Sequence, residues 1–128
     1  GGGLAGTAED YLRFAQMLLN GGELDGKRIV GRKTIDLMTA NHIGDMPLWD
    51  DSLRGHRFGL GFRVVTDMGR SGLLATPGSY GWGGAYGTYF WVDPKEEMVG
   101  LLLFQLMPYA HLNLRYEFHN TVMQALVD

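Results

Sequence analysis

Residues 87–104 read GTYFWVDPKEEMVGLLLF, and this stretch decides the fold. Thr88, Phe90 and Val92 alternate with two aromatic residues, which is the period of a β-strand. The sequence DPKE that follows favours a turn, and residues 98–106 then return as a nearly continuous apolar run. We therefore predict a β-hairpin whose second strand, residues 98–106, is buried on both faces inside a larger sheet.

Helices are predicted before and after this hairpin. Thr7 and Asp10 have the spacing of a capping box, and the apolar residues that follow recur at helical spacing, so we expect a helix over residues 8–19. The same spacing predicts a shorter helix over residues 34–41. An apolar stripe near the end of the chain predicts a closing helix over residues 112–126, packed on the sheet.

The remaining segments predict extended structure and turns. Residues 58–65 are rich in β-branched and aromatic side chains and predict one strand, while Asp25-Gly26 predicts a tight turn between two short extended pieces. Residues 43–57 have no sustained period and are expected to form a loop, and residues 67–78 are rich in turn formers. The sequence thus predicts an α+β fold, with an antiparallel sheet flanked by helices, in which residues 1–128 form a single segment of one domain.

Composition and motif spacing exclude several classes of function. A content of 45% hydrophobic and 20% charged residues is typical of a folded protein, and a net charge of −3 without a basic run argues against a nucleic-acid partner. The chain has no cysteine, its four histidines are far apart, and Tyr86 stands where a G-x-G-x-x-G sequence starting at Gly81 would need its third glycine, so neither a metal site nor a cofactor is expected. No apolar run approaches the about 20 residues of a membrane-spanning helix.

The segment with the strongest functional signal is residues 78–88, GSYGWGGAYGT, with five glycines and three aromatics in eleven residues. Glycine weakens a strand, so such a cluster indicates close passage of another backbone or of a ligand. The alternative is a bulged strand or tight hairpin whose aromatic rings only cover the core. The residues by themselves leave both interpretations open.

Three segments, in order, resemble the class C β-lactamase relatives, and in particular the family VIII carboxylesterases. They are GGLAGTAEDY at residues 2–11, FGLGF at residues 58–62 and GWGGAYGTYFWVDP at residues 81–94. The resemblance covers nearly the whole chain. It implies the C-terminal part of a β-lactamase/transpeptidase-like fold and a serine hydrolase that works through an acyl-enzyme.

The resemblance also implies roles for individual residues. Trp82, Gly83 and Gly84 stand where β-lactamases have Lys-Thr-Gly, and the backbone N–H of Ala85 would be one of two donors to the oxyanion. Because Trp82 replaces a cation that pairs with a β-lactam carboxylate, an uncharged ester or amide is the expected substrate. Two tyrosines of the same segment are expected to line the cleft, namely Tyr80 and Tyr86.

The nucleophile and base of that family are not in this sequence. The family uses the Ser and Lys of an S-x-x-K motif with the Tyr of Y-x-N, and neither motif occurs in the 128 residues. We therefore expect an amino-terminal part that carries both motifs, and we expect the chain alone to be inactive. Its expected partners are a small acyl ester or amide, and either the missing amino-terminal part or a second copy paired along an exposed strand edge.

Two other functions remain compatible with the sequence. One is a non-catalytic binding module that holds a sugar or a peptide through the glycine- and aromatic-rich segment, since aromatic side chains on strands stack on sugars. The other is a non-catalytic relative that kept the fold for cell-wall recognition or regulation. The residues upstream of Gly1 would distinguish these possibilities from an esterase.

Overall fold

The computed structural model describes residues 4–48 and 53–127. Gly2 and Gly3 of the first resembling segment, and part of the predicted loop at residues 43–57, lie outside the described residues. In chain order, the helices and strands are α1 Ala8–Leu19, β1 Glu23–Leu24, β2 Lys27–Arg28, α2 Arg32–Met38, β3 His56–Phe58, β4 Arg63–Val65, α3 Met68–Ser71, β5 Tyr80–Gly83, β6 Tyr89–Asp93, β7 Met98–Leu102 and α4 Leu114–Gln124, with a 3₁₀ turn at Ala110–Leu112.

The main sheet has five antiparallel strands in the order β3-β4-β5-β6-β7. The predicted hairpin is present as β6 and β7, joined by the turn at residues 94–97. The second strand of the hairpin is shorter in the structure than the predicted residues 98–106. The strand ends at Leu102, and within the described chain it is the outermost strand and mostly half-buried, whereas every residue of β6 is buried. Burial follows the number of neighbouring strands, and β6 has two.

Helices cover the two faces of the sheet. On one face, Phe90 and Val92 pack with Ala15 and Leu18 of α1 in the main hydrophobic core. On the other face, the Trp91 ring contacts Phe118 and His119 of α4. Because successive side chains of a strand point to opposite faces, the alternation in β6 assigns one helix to each face. The predicted closing helix therefore packs on the sheet as expected, although α4 is shorter than residues 112–126.

Local sequence signals predict the bounds of α1 well and those of α2 less well. α1 spans the predicted residues 8–19, and its capping box joins the Thr7 hydroxyl to the Asp10 N–H and the Asp10 carboxylate to the Thr7 N–H. α2 begins two residues before the predicted start at residue 34 and ends at Met38. The Asp25-Gly26 turn is present, and both residues have positive φ, which matches the twist of the β1-β2 hairpin.

The prediction of one strand over residues 58–65 is wrong. β3 ends at Phe58, β4 begins at Arg63, and the two pair as a hairpin across a turn in which the Gly59 N–H donates to the Phe62 carbonyl over 2.8 Å. A Cβ on Gly59 would collide with the Met38 carbonyl. The glycine therefore lets the turn pass close to α2, a contact that the strand-like composition of this segment does not reveal.

Candidate functional site

The glycine- and aromatic-rich segment forms β5 and the turn that follows it. The turn spans Gly84–Gly87, and the Gly87 N–H donates to the Gly84 carbonyl over 3.1 Å. The Gly84 N–H donates to the Thr88 carbonyl over 2.8 Å, which extends the ladder between β5 and β6 by one bond. Ala85 and Tyr86 are the two central residues of this turn. We call residues 84–87 the site turn.

The outer edge of β5 is only partly paired. β4 pairs with Tyr80 and Gly81, whereas the inner edge of β5 pairs with β6 along its whole length from Tyr80 to Gly83. The Ala85 N–H, just beyond the strand, donates to no other described residue. A main-chain donor at the end of a half-paired strand is thus available to a ligand.

Arg115, in the first turn of α4, holds the site turn from the side opposite to α1. Its Nε donates to the Gly87 carbonyl over 3.0 Å, and its Nη2 donates to the Gly84 carbonyl. The guanidinium lies over the Tyr109 ring, 4.4 Å from the ring centroid, which is a cation–π contact. Burial lowers the pKa of Arg115, because the charged form loses water.

A cavity of about 500 Å³ lies between β5 and the start of α4. Its lining includes two guanidinium groups and no carboxylate among the described residues. The residues that line it include Arg63, Trp82, Gly83, Tyr89, Tyr109 and Arg115. Arg63 and Arg115 form no ion pair with any described acidic residue. The cavity therefore has a positive lining within a chain of net negative charge.

The predicted site residues fall in different environments. Trp82 and Gly83 line the cavity, and the Trp82 ring packs edge-on against Phe58 with ring centroids 5.0 Å apart. Tyr86 is 55% exposed on the site turn. Tyr80 is only 3% exposed and packs in the core with Phe62, and burial raises the pKa of its hydroxyl to about 12. The structure thus brings Trp82, Gly83 and the site turn together, and it places Tyr80 among core residues.

Three residues of the cavity could not be identified from the sequence. Arg63, Tyr109 and Arg115 carry no local motif, and Arg115 is 31 residues from Gly84 along the chain. Arg63 donates to the Tyr89 hydroxyl over 3.4 Å, and Tyr89 also contacts His119, with 3.1 Å between the hydroxyl and Nδ1. Such pairs form only when the sheet and α4 are assembled.

Two histidines are buried in the same part of the structure, and one of them, His119, contacts Tyr89 of the cavity lining. His56 is fully buried and His119 is 2% exposed, and neither Nε2 atom has a hydrogen-bond partner among the described residues. Burial, with a smaller effect of the nearby Arg63 charge, lowers the pKa of each to about 4. Both histidines are therefore neutral at pH 7. Over residues 4–48 and 53–127, no cluster of three or more His, Cys, Asp or Glu side chains is arranged to hold a metal ion.

None of the described helices combines the length and the apolar character that crossing a membrane requires.

Comparison with known proteins identifies relatives of the whole segment. The family model Beta-lactamase matches residues 1–119. Protein Rv1367c of Mycobacterium tuberculosis (strain ATCC 25618 / H37Rv) is 40% identical over 120 residues, which cover 84% of this chain and 29% of the relative. Protein MT1414 of M. tuberculosis strain CDC 1551 / Oshkosh matches with the same identity and coverage.

A solved structure shares the fold. EstCE1, described as a hydrolase with promiscuous acyltransferase activity, superimposes with a TM-score of 0.72 at 24% sequence identity, covering 92% of this chain and 30% of that chain. This chain therefore spans only 29% to 30% of the length of the proteins that it matches. The family match extends over nearly the whole chain, and the antiparallel sheet with its closing helix agrees with the fold of EstCE1. Because the family model matches residues 1–119, this chain belongs to the Beta-lactamase family.

Proposed function

We propose that this chain forms one wall of the acyl site of a serine hydrolase and supplies an oxyanion donor, the backbone N–H of Ala85. The single observation that carries the proposal is that this N–H lies just past the half-paired edge of β5 and has no partner among the described residues. In acyl transfer, the carbonyl oxygen becomes an anion, and a fixed main-chain donor stabilises it in the transition state.

The nucleophile of this site would come from polypeptide that carries an S-x-x-K motif. Its serine would transfer its proton to the Lys–Tyr pair and attack the substrate carbonyl, and the alcohol or amine of the substrate would leave with that proton as the acyl-enzyme forms. Water would then hydrolyse the acyl-enzyme and release the acid and the free serine. Because no S-x-x-K occurs in residues 1–128, we expect the chain alone to hydrolyse nothing. Turnover of p-nitrophenyl butyrate by the pure 128-residue chain would contradict this assignment.

The proposed substrate is a small ester or amide that is uncharged next to Trp82. The indole offers an apolar surface at the position that a lysine occupies in β-lactamases, so the carboxylate of a β-lactam would lack that ammonium partner. Arg115, the nearest guanidinium to the site turn, is already bonded to two carbonyl groups. These features support a family VIII type of carboxylesterase. The complete enzyme should cleave p-nitrophenyl butyrate much faster than nitrocefin, and a reversal of that preference would contradict the ester assignment.

The role of Ala85 is tested by removing its N–H. Ala85 is the second residue of a four-residue turn, a position that accepts proline, so Ala85→Pro removes the donor while the turn can still form. In the complete enzyme, we expect kcat to fall by about 10²–10³, the usual loss for one oxyanion donor. Ala85→Gly retains the N–H and is the matched control. If Ala85→Pro and Ala85→Gly have equal kcat, Ala85 is not the donor.

A further inference from the structure

We propose that Arg115 is the positioning residue of the oxyanion donor, and that it acts through the peptide bond between Gly84 and Ala85. The proposal rests on the function proposed above for the Ala85 N–H. Arg115 does not itself touch the substrate in this mechanism. It fixes and polarises the peptide group that does.

The Gly84 carbonyl and the Ala85 N–H belong to the same planar unit, which is trans, because the described residues contain only one cis peptide and it is Met107-Pro108. In a trans peptide, the C=O and the N–H point in opposite directions. Since Arg115 Nη2 binds the Gly84 oxygen, the Ala85 N–H is directed away from the guanidinium. The direction of the donor is therefore set by Arg115.

Two further contacts make this arrangement rigid. Arg115 Nε binds the Gly87 carbonyl at the other end of the site turn, and the Gly87 N–H binds the same Gly84 oxygen that Nη2 binds. The guanidinium thus spans the turn from its first residue to its last. The centroid of the Tyr109 ring lies 4.4 Å from the guanidinium carbon, and this cation–π contact favours the same position of the guanidinium. Oxyanion donors act best when they are held in place before the reaction begins.

The charge of Arg115 adds a second effect. A cation bound to the oxygen of a peptide group draws electron density toward that oxygen and makes the N–H of the same group a stronger donor. In this chain the cation is half-buried and has no carboxylate partner among the residues described, so its field is not neutralised locally. The Ala85 N–H would then bind a developing oxyanion more strongly than an ordinary amide.

The position of Arg115 in α4 is not explained by helix stability. It lies in the first turn of the helix, where the helix dipole disfavours a positive charge. The neighbouring β5 residue is Gly83, and a Cβ there would lie 2.6 Å from Arg115 Nη1. Both features favour a guanidinium that is placed for contact with the site turn.

The test is a double-mutant cycle in the complete enzyme with p-nitrophenyl butyrate. Arg115→Gln should lower kcat about 10-fold with little change in KM, a smaller loss than removal of the donor itself. In the Ala85→Pro background, Arg115→Gln should cause no further loss of kcat, because the group through which Arg115 acts is absent. Arg115→Lys keeps the charge and should recover part of the activity. Circular dichroism and thermal unfolding of each variant confirm that it is folded.

Arg57 provides the matched control. It also binds two backbone carbonyls, those of Gly44 and His56, at 2.8 Å and 2.9 Å, but it lies on β3, which is separated from β5 by β4. Arg57→Gln should leave kcat unchanged.

If Ala85→Pro is fully active, the Ala85 N–H is not the oxyanion donor. If Ala85→Pro is impaired but Arg115→Gln is not, or if the Arg115 effect is the same in both backgrounds, the positioning role is overturned while the donor stands.

Discussion

The guanidinium of Arg115 occupies the space that a side chain on Gly83 would need, because a Cβ at position 83 would lie 2.6 Å from Nη1. A glycine on β5 and an arginine on α4 are thus matched to each other across the cavity. This relationship couples the closing helix to the strand that bears the proposed acyl site. It also makes the contact accessible to a simple experiment on the 128-residue chain.

We predict that Gly83→Ala displaces the Arg115 side chain and breaks its hydrogen bonds to the site turn. The loss of bonds from a charged donor should lower the free energy of unfolding by about 1.5–3 kcal/mol, measured by urea denaturation. In an Arg115→Ala background, the same methyl group should cost much less, because nothing occupies its space. Gly6→Ala, where an added Cβ meets nothing within 4 Å, is the control. Equal costs in both backgrounds would show that the two residues are not coupled.

We predict a second steric coupling between Gly100 of β7 and Trp91 of β6. An added Cβ at position 100 would collide with the six-membered ring of the indole, which is 2% exposed and held between Tyr89, Phe118 and His119. The ring cannot move aside, so Gly100→Ala should destabilise the fold by about 1–3 kcal/mol, the usual cost of overpacking. Trp91→Phe removes the colliding atoms. If Gly100→Ala is as costly in the Trp91→Phe background as it is in the unmodified chain, this explanation fails.

The sequence predicts those parts of the structure that depend on local signals and misses those that depend on tertiary contacts. The prediction of α1 is correct to the residue, because its capping box and apolar period are signals within about three turns of chain. The β6-β7 hairpin is also predicted correctly, since its turn chemistry is local. The division of residues 58–65 into β3 and β4 is not predicted, because it depends on the close approach of Gly59 to α2.

The candidate site is likewise predictable from the sequence only in part. The glycine-rich segment is recognisable because its composition is unusual for a strand, and Trp82 and Gly83 do line the cavity. Arg115 is not recognisable, because its two carbonyl partners lie 28 and 31 residues away along the chain. Tyr80 and Trp82 are both aromatic residues of one short segment, yet Tyr80 packs in the core while Trp82 reaches the cavity. Side-chain environment at this level depends on tertiary packing.

We predict that the chain loses stability as the pH falls from about 6.5 toward 4. Burial lowers the pKa of His56 and His119 from the ordinary value of 6.5 to about 4. Between these values, the unfolded chain binds more protons than the folded chain, so stability is complete above pH 6.5 and declines below it. Urea midpoints at pH 7.0, 6.0 and 5.0 measure this slope. His119→Gln should flatten it and His111→Gln, at an exposed position, should not. A midpoint that is constant over this pH range would contradict the prediction.

We predict that the 128-residue chain associates with itself through β7. Within the described residues, this strand pairs with β6 only, so its outer edge presents free main-chain groups beside apolar side chains such as Leu103, which is 43% exposed. Such an edge is a template for another strand, and a lysine there disfavours pairing. Light scattering should show a mass that rises with concentration, and Leu103→Lys should suppress the rise. Leu60, 49% exposed in the β3-β4 turn, provides the control Leu60→Lys. A monomer at every concentration would contradict the prediction. Equal effects of the two lysines would exclude the β7 edge, because a general loss of apolar surface would then account for the result.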